Sequence, residues 1–357
     1  MTASAQNRNP IVDASKGLAI LLVVLGHAVQ AHTQDFDRSL LFRFICSFHM
    51  ALFFFLSGWV FNPNSHARIK KTILRLLPPV ASWYMLSYIL GGFYKIESLP
   101  NYLARFLARP DAGLWFLWVL AFGLLAMMAG RLLELRIGRV AYLFLIVLFF
   151  IAPIRYLGVP LLRYYFPCIV TGYLLRNAVV DMKRFLPYVL PISLVVFVAV
   201  FPFWHRTYEQ VTAPAQVIIE GHQLSIRPFV YIGAKYAEAC SGSALAVWTA
   251  FLLYNYLRMT LLQWLGRRSL EIYVSHQLFI YAFPARSAIA IAGAFCFALA
   301  MSLIVIQVIG RIPGARELLY GVPWMSCEMR APNPGNVEEQ CTQLALPANL
   351  RGAYWNK

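Results

Sequence analysis

Apolar runs of nearly bilayer-crossing length recur along this chain, each followed by a short polar stretch. They fall near residues 12–31, 40–61, 74–93, 113–130, 139–154, 160–176, 185–203, 236–256, 264–283 and 287–310. A membrane-spanning helix needs roughly 20 such residues, and the shorter runs suit helices shielded by neighbours. The pattern predicts an all-α integral membrane protein, a bundle of about ten transmembrane helices with short loops. The runs 139–154 and 160–176 are split by "APIRYLGVP" and read as two helices or as one broken helix. Residues 204–235 are too polar to cross and read as one longer loop. Residues 1–11 precede the first run, and 311–357 form a Pro-containing polar tail. Asp13 in the flank of the first run, with many runs after it, argues for a retained helix rather than a cleaved signal. No internal repeat is evident.

Composition supports the membrane assignment. Of 357 residues, 60% are hydrophobic and 13% charged, against about a quarter charged in soluble domains. The net charge of +16 reads first as topology, because Lys and Arg collect in cytoplasmic loops. With the N-terminus inside, the even-numbered loops are the basic ones. They carry Arg68, Lys70 and Lys71, then Arg131, Arg136 and Arg139, then Arg176, Lys183 and Arg184, and last Arg258, Arg267 and Arg268. Both termini are therefore expected in the cytoplasm, and the loop 204–235 outside. No basic run of the nucleic-acid type occurs, so no nucleic-acid partner is expected.

Three polar residues interrupt the first run, "VDASKGLAILLVVLGHAVQ". An ionisable residue inside a span is costly and so is a functional candidate by default. Lys16 and His27 lie eleven positions apart, close to three full turns, and so share a helix face roughly 16 Å apart along the axis. Asp13, one turn before Lys16, is placed to pair with it. The plainer alternative is a snorkelling Lys and a structural His. His49 is a second mid-span imidazole, with Ser57 and Gly58 nearby for close helix approach. Lys70, Lys71 and Arg75 precede Pro78-Pro79, which is expected to break or kink the helix. These cations read as a topology signal or as a phosphate site. Trp115 and Trp118 suit an aromatic belt or a sugar cleft. In "LGRRSLEIYVSHQ", Ser269, Tyr273 and His276 fall near one face and Glu271 on another, which invites proton handling or simple helix packing.

The six cysteines lack metal-ligand spacing, and no metal site is expected. Cys327 and Cys341 lie in the polar tail, where a cytoplasmic setting keeps thiols reduced. No Walker loop, dinucleotide glycine fingerprint or Gly-x-Ser-x-Gly elbow occurs.

Taken in order, "DASKGLAILLVVLGHA", "FHMALFFFLSGWVF", "RLLPP", "LWFL" and "LGRRSLEIYVSHQ" resemble the membrane acyltransferase 3 family, and particularly its branch of fucose 4-O-acetylase-like, exopolysaccharide O-acetyltransferase proteins. The resemblance runs from about residue 10 to 310. It implies a ten-helix acyltransferase membrane domain over 12–310, in a bacterial inner (cytoplasmic) membrane. It implies acetyl transfer from cytoplasmic acetyl-CoA to a hydroxyl of a carbohydrate, as polymer or lipid-linked oligosaccharide. The family modifies O-antigens, exopolysaccharides, Nod factors and other envelope sugars.

Residue by residue, the family's essential first-helix His matches His27, and its basic partner matches Lys16. Where many relatives carry Arg-x-x-Arg, this chain has Thr72 before Arg75, so Lys71 stands in. The Ser and Tyr of the last motif match Ser269 and Tyr273. On this reading His27 is the general base, since His titrates nearest neutrality. Lys16, Lys71 and Arg75 hold the phosphates of acetyl-CoA, and Asp13 or Glu271 orients a basic partner or His27. His49, His276, Trp115, Tyr273 and Ser269 serve the acceptor. No metal is needed, and polysaccharide-assembly proteins are natural partners. The rival functions are a transporter or flippase for a lipid-linked sugar, and a scaffold in an envelope system. A transporter more often shows repeats or paired interrupted helices.

Overall fold

The computed structural model describes residues 9–62, 66–90, 95–108, 114–178, 182–206, 227–283, 286–312 and 314–321. The side chains of Arg68, Lys70, Lys71, Lys183 and Arg184, and all of Cys327 and Cys341, lie outside the described residues. Among the described residues every regular element is helical.

The helices are α1 (Pro10–His32), α2 (Leu40–Val60), α3 (His66–Leu90), α4 (Leu99–Ala108), α5 (Trp115–Ile137), α6 (Val140–Ile151), α7 (Val159–Ala178), α8 (Met182–Val200), α9 (Arg227–Asn255), α10 (Thr260–Arg267), α11 (Ser269–Ser275), α12 (Gln277–Ile280), α13 (Ala288–Ile309) and α14 (Ala315–Tyr320). Two 3₁₀ turns, Phe36–Arg38 and Phe201–Phe203, complete the regular structure. By length and composition, five helical stretches among the described residues can cross a membrane: Pro10–His32, Leu40–Val60, Thr72–Leu90, Trp115–Ile137 and Ala288–Ile309. Val140–Ile151 and Tyr188–Phe203 are apolar but shorter.

Helix α1 is the hub. It starts at Asn9, whose side chain accepts from the Ile11 N–H at 3.0 Å, with Pro10 in the first turn where its missing N–H costs nothing. It packs against α2, α9, α10 and α13 and touches α11 and α12. Its crossing with α10 is close because both partners lack a side chain there. A Cβ at Gly17 would collide with the Leu262 carbonyl, and one at Gly266 with the Asp13 carbonyl. The pairing of 13 with 266 and 17 with 262 makes the two helices antiparallel. Gly58 seats α2 on α7 in the same way, against Ile169.

The structure corrects the expected layout in several places. The run 264–283 is not one helix: the chain turns at Arg268 and again loses regularity at His276, giving α10, α11 and α12. Gly266, a weak helix former, sits at the first break with its backbone pressed on α1. Helix α9 begins at Arg227, nine residues before the expected start of its run, so the polar stretch 204–235 is partly helical. Helix α3 continues as one element through Pro78 and Pro79, where a break or kink is expected, so of the two the break does not occur. The prolines leave the carbonyls of Leu74 and Arg75 without ladder donors, and the Ser82 hydroxyl contacts the Pro78 carbonyl at 2.7 Å. Helices α6 and α7 are two elements. Their junction is clamped by Arg163, only 1% exposed, whose guanidinium donates to the carbonyls of Phe149, Ala152 and Ile154 at the end of α6. Helix α4 lies in what read as a loop, and α14 in what read as tail.

Candidate active site

The far end of α1 opens on a cavity of about 280 Å³ between α1, α2, α5, α7 and the α11–α12 segment. His27, His49, Trp115 and Tyr273 all line it, with Gln30, Tyr165, Arg206 and Gln277. Four residues picked out by sequence alone thus meet in one place. His276 does not line the cavity but is fully buried behind it, its ring centroid 5.2 Å from that of His27 and 6.0 Å from Tyr273. The α1 spacing sets this meeting: His27 lies three turns beyond Lys16, level with the rising α11–α12 segment.

The imidazoles share one hydrogen-bonding arrangement. His49 Nδ1 donates to the Ile45 carbonyl at 2.7 Å, and His276 Nδ1 to the Ile272 carbonyl at 3.1 Å, each four residues back on its own helix path. His27 Nδ1 faces Gln30 Oε1 at 3.2 Å, three residues on. With an oxygen acceptor at Nδ1, the proton sits there and the Nε2 lone pair is left for chemistry. For His276 that Nε2 is buried without a hydrogen-bond partner among the described residues.

Aromatic faces form one wall. Trp115 stacks on Tyr165 with centroids 5.3 Å apart, and Tyr165 stacks on Phe54 at 4.6 Å. The other polar feature is Arg206, whose guanidinium lies 5.3 Å from the Phe36 centroid and 5.9 Å from that of Phe42, with Asp37 at 3.6 Å. Trp118 lies elsewhere, its indole N–H donating to the Leu157 carbonyl at 3.1 Å.

The remaining candidates lie outside this cavity, in ion-paired groups on α1, α3 and α11. Asp13 is paired with Arg267 of α10 at 3.5 Å. Glu271 pairs with Arg316 of α14 at 3.4 Å and feels the charges of Arg268 and Arg75. Arg75 Nε donates to the Gly321 carbonyl at 2.7 Å. Lys16 is one turn from Asp13 on the same helix, and Ser269 opens α11 beside Arg268. Neither Asp13 nor Glu271 lines the cavity that holds His27. The side chain of Lys71 falls outside the described residues. The site residues are therefore split between a histidine-aromatic cavity and a cationic cluster, joined by α1 and by α11.

Sequence reasoning passed over Gln30, Tyr165, Arg206 and Gln277. Gln30 was the most findable, at i+3 from His27. Also missed was a buried charge group on α9. Lys235 is 2% exposed and Glu238 fully buried. The Lys235 ammonium lies 5.5, 5.4 and 5.9 Å from the ring centroids of Tyr164, Trp204 and Tyr231. Glu238 feels the charges of Lys235 and Arg43. Arg43 in turn donates to the carbonyls of Phe201, Pro202 and Trp204, fixing the segment that leads to Arg206.

Comparison with known proteins gives an independent line. Residues 9–311 match the family model described as an acyltransferase domain. The nodulation protein NolL of Sinorhizobium fredii (strain NBRC 101917 / NGR234) is 30% identical over 197 residues, 51% of this chain and 53% of the relative. The NolL protein of Mesorhizobium japonicum (strain LMG 29417 / CECT 9101 / MAFF 303099) is 27% identical over 228 residues, 58% of this chain and 59% of the relative. The match thus spans little more than half the length of either. No solved structure matches.

Proposed function

The chain belongs to the acyltransferase family whose model matches residues 9–311, and from that premise we propose a membrane O-acetyltransferase acting on a sugar hydroxyl with acetyl-CoA as donor. The observation that carries this reading is the cavity, where the His27 imidazole, held at Nδ1 by Gln30, shares one space with the stacked rings of Trp115 and Tyr165. An apolar-faced, hydroxyl-rich sugar ring suits that combination of aromatic surface and few polar groups.

On this reading the protein spans the bacterial inner membrane as a bundle of about ten helices, with both termini cytoplasmic. Acetyl-CoA supplies an acetyl thioester from the cytoplasmic end. Lys16, Lys71 and Arg75 offer cations for its phosphates, and the roughly 16 Å from Lys16 to His27 is distance for its long arm to cross. His27 Nε2 removes the acceptor hydroxyl proton as the oxygen attacks the thioester carbonyl, and the thiol leaves. Gln30 holds the imidazole in the tautomer that makes this possible. His49 and Tyr273 line the same space and are placed to hold the acceptor or the developing oxyanion. Asp13 and Glu271 act on their arginine partners rather than on His27. The acceptor is an envelope or secreted carbohydrate, polymer or lipid-linked.

The test is transfer of label from acetyl-CoA to the carbohydrate fraction in membranes carrying the protein. Replacing His27 with Ala should lower transfer by about 10²–10⁴-fold, the usual contribution of a general base. Undiminished transfer by a correctly inserted H27A protein overturns the assignment.

A further inference from the structure

The family match ends at residue 311, and α14 lies just beyond it. This six-residue helix is not a loose continuation. The hydroxyl of Ser82 lies 2.7 Å from the Leu318 carbonyl, sharing its one proton between this oxygen and that of Pro78, while the indole N–H of Trp83 donates to Leu319 at 2.6 Å and Arg75 Nε to Gly321 at 2.7 Å. Three side chains of α3 thus take up carbonyls that the end of a short helix leaves unpaired. Tyr320 is fully buried against Trp83.

The seat itself is written in the sequence of α3. Pro79 has no N–H to bond the carbonyl four residues back, which is that of Arg75. Gly321 sits on this carbonyl so closely that a Cβ would collide with it, and its φ of +60° is one that favours glycine. The segment therefore has one docking position, and that position brings Arg316 to Glu271.

Three guanidiniums, those of Arg316, Arg75 and Arg268, act on the single buried carboxylate of Glu271. Arginines brought together in this way suit a phosphate, whose oxygens accept from several guanidinium N–H groups at once. Arg316 remains one-third exposed and meets Glu271 through one guanidinium nitrogen, so this contact does not use up its fork of N–H donors. We infer that residues 314–321, outside the family domain, complete the donor site, with Arg316 as a binding residue for a phosphate-bearing acyl donor. This rests on the acetyl-CoA reading above, and it adds a ligand contact that the family domain does not contain.

The full chain in nanodiscs is titrated with CoA by calorimetry, with its ligand-free melting temperature measured alongside. Arg316→Ala should weaken CoA binding roughly tenfold or more, as loss of a charged hydrogen bond does, and Arg316→Lys should recover part of it. Gly321→Val removes no charge but cannot seat on Arg75, and should weaken CoA binding as well. Equal affinity in R316A and G321V overturns the inference and leaves the proposed function standing. Tighter CoA binding in R316A also overturns it, since the segment then occludes the donor. Failure of the unmodified chain to bind CoA overturns both.

Discussion

The commitment of every cavity-region imidazole through Nδ1 is the most consequential detail at the residue scale. A histidine tied this way keeps one tautomer and one orientation, because the hydrogen bond at one ring nitrogen decides where the proton sits on the other. For His49 and His276 the acceptor is a helix carbonyl, so mutation cannot remove it simply. For His27 it is the side chain of Gln30, and that can be tested. Gln30→Leu should lower kcat about tenfold while leaving KM for acetyl-CoA near its original value. A matched rise in KM with kcat intact would make Gln30 an acceptor-binding or structural residue instead. His27, His49, Trp115 and Tyr273 were legible in the sequence because polar or aromatic groups stand out in apolar runs. Partners were not: Asp13 has a cation one turn away in the sequence, yet its described ion pair is with Arg267, more than 250 positions on. Only the fold brings those two together.

The element scale shows where hydrophobic pattern runs out. Nearly every expected run lies on a helix, because apolar length is what the bilayer selects. The run 264–283 was misread because its breaks come from packing, not polarity. Gly266 and Gly17 let α10 press on the start of α1, and the chain must then reverse at Arg268 to rise beside α1 towards His27. Side chains at this crossing are excluded. Gly17→Leu should destabilise the protein by about 1–3 kcal/mol through overpacking, read as a lower melting temperature in detergent, with loss of transfer. A stable, active G17L protein would refute the close crossing. Helix α14 was hidden for the opposite reason: its flanking polarity reads as tail, and what holds it is donors on α3 rather than a long apolar face.

For the whole molecule, the geometry separates a cationic end from a histidine-aromatic end along one helix. Crossing the membrane between them requires that residues near the two ends face opposite sides. A single cysteine at Asp35, in a chain otherwise free of cysteine, should react with an impermeant maleimide added outside intact spheroplasts. A cysteine at Arg136 should react only after the membrane is opened. The reverse pattern would invert the bundle and place the donor site on the wrong side.

Lys235 and Glu238 also govern how the chain is made. An isolated Lys at mid-helix costs about 3 kcal/mol on insertion scales, and a carboxylate nearly as much. Helix α9 carries both. Yet three of the groups that shelter them, Arg43, Tyr164 and Trp204, precede α9 in the chain, and Tyr231 lies one turn before Lys235 on α9 itself. Synthesis from the N-terminus therefore delivers most of the shelter before α9 arrives. The order of residues along the sequence is thus also an order of arrival, in which the buried charges of α9 leave the ribosome after most of their hosts.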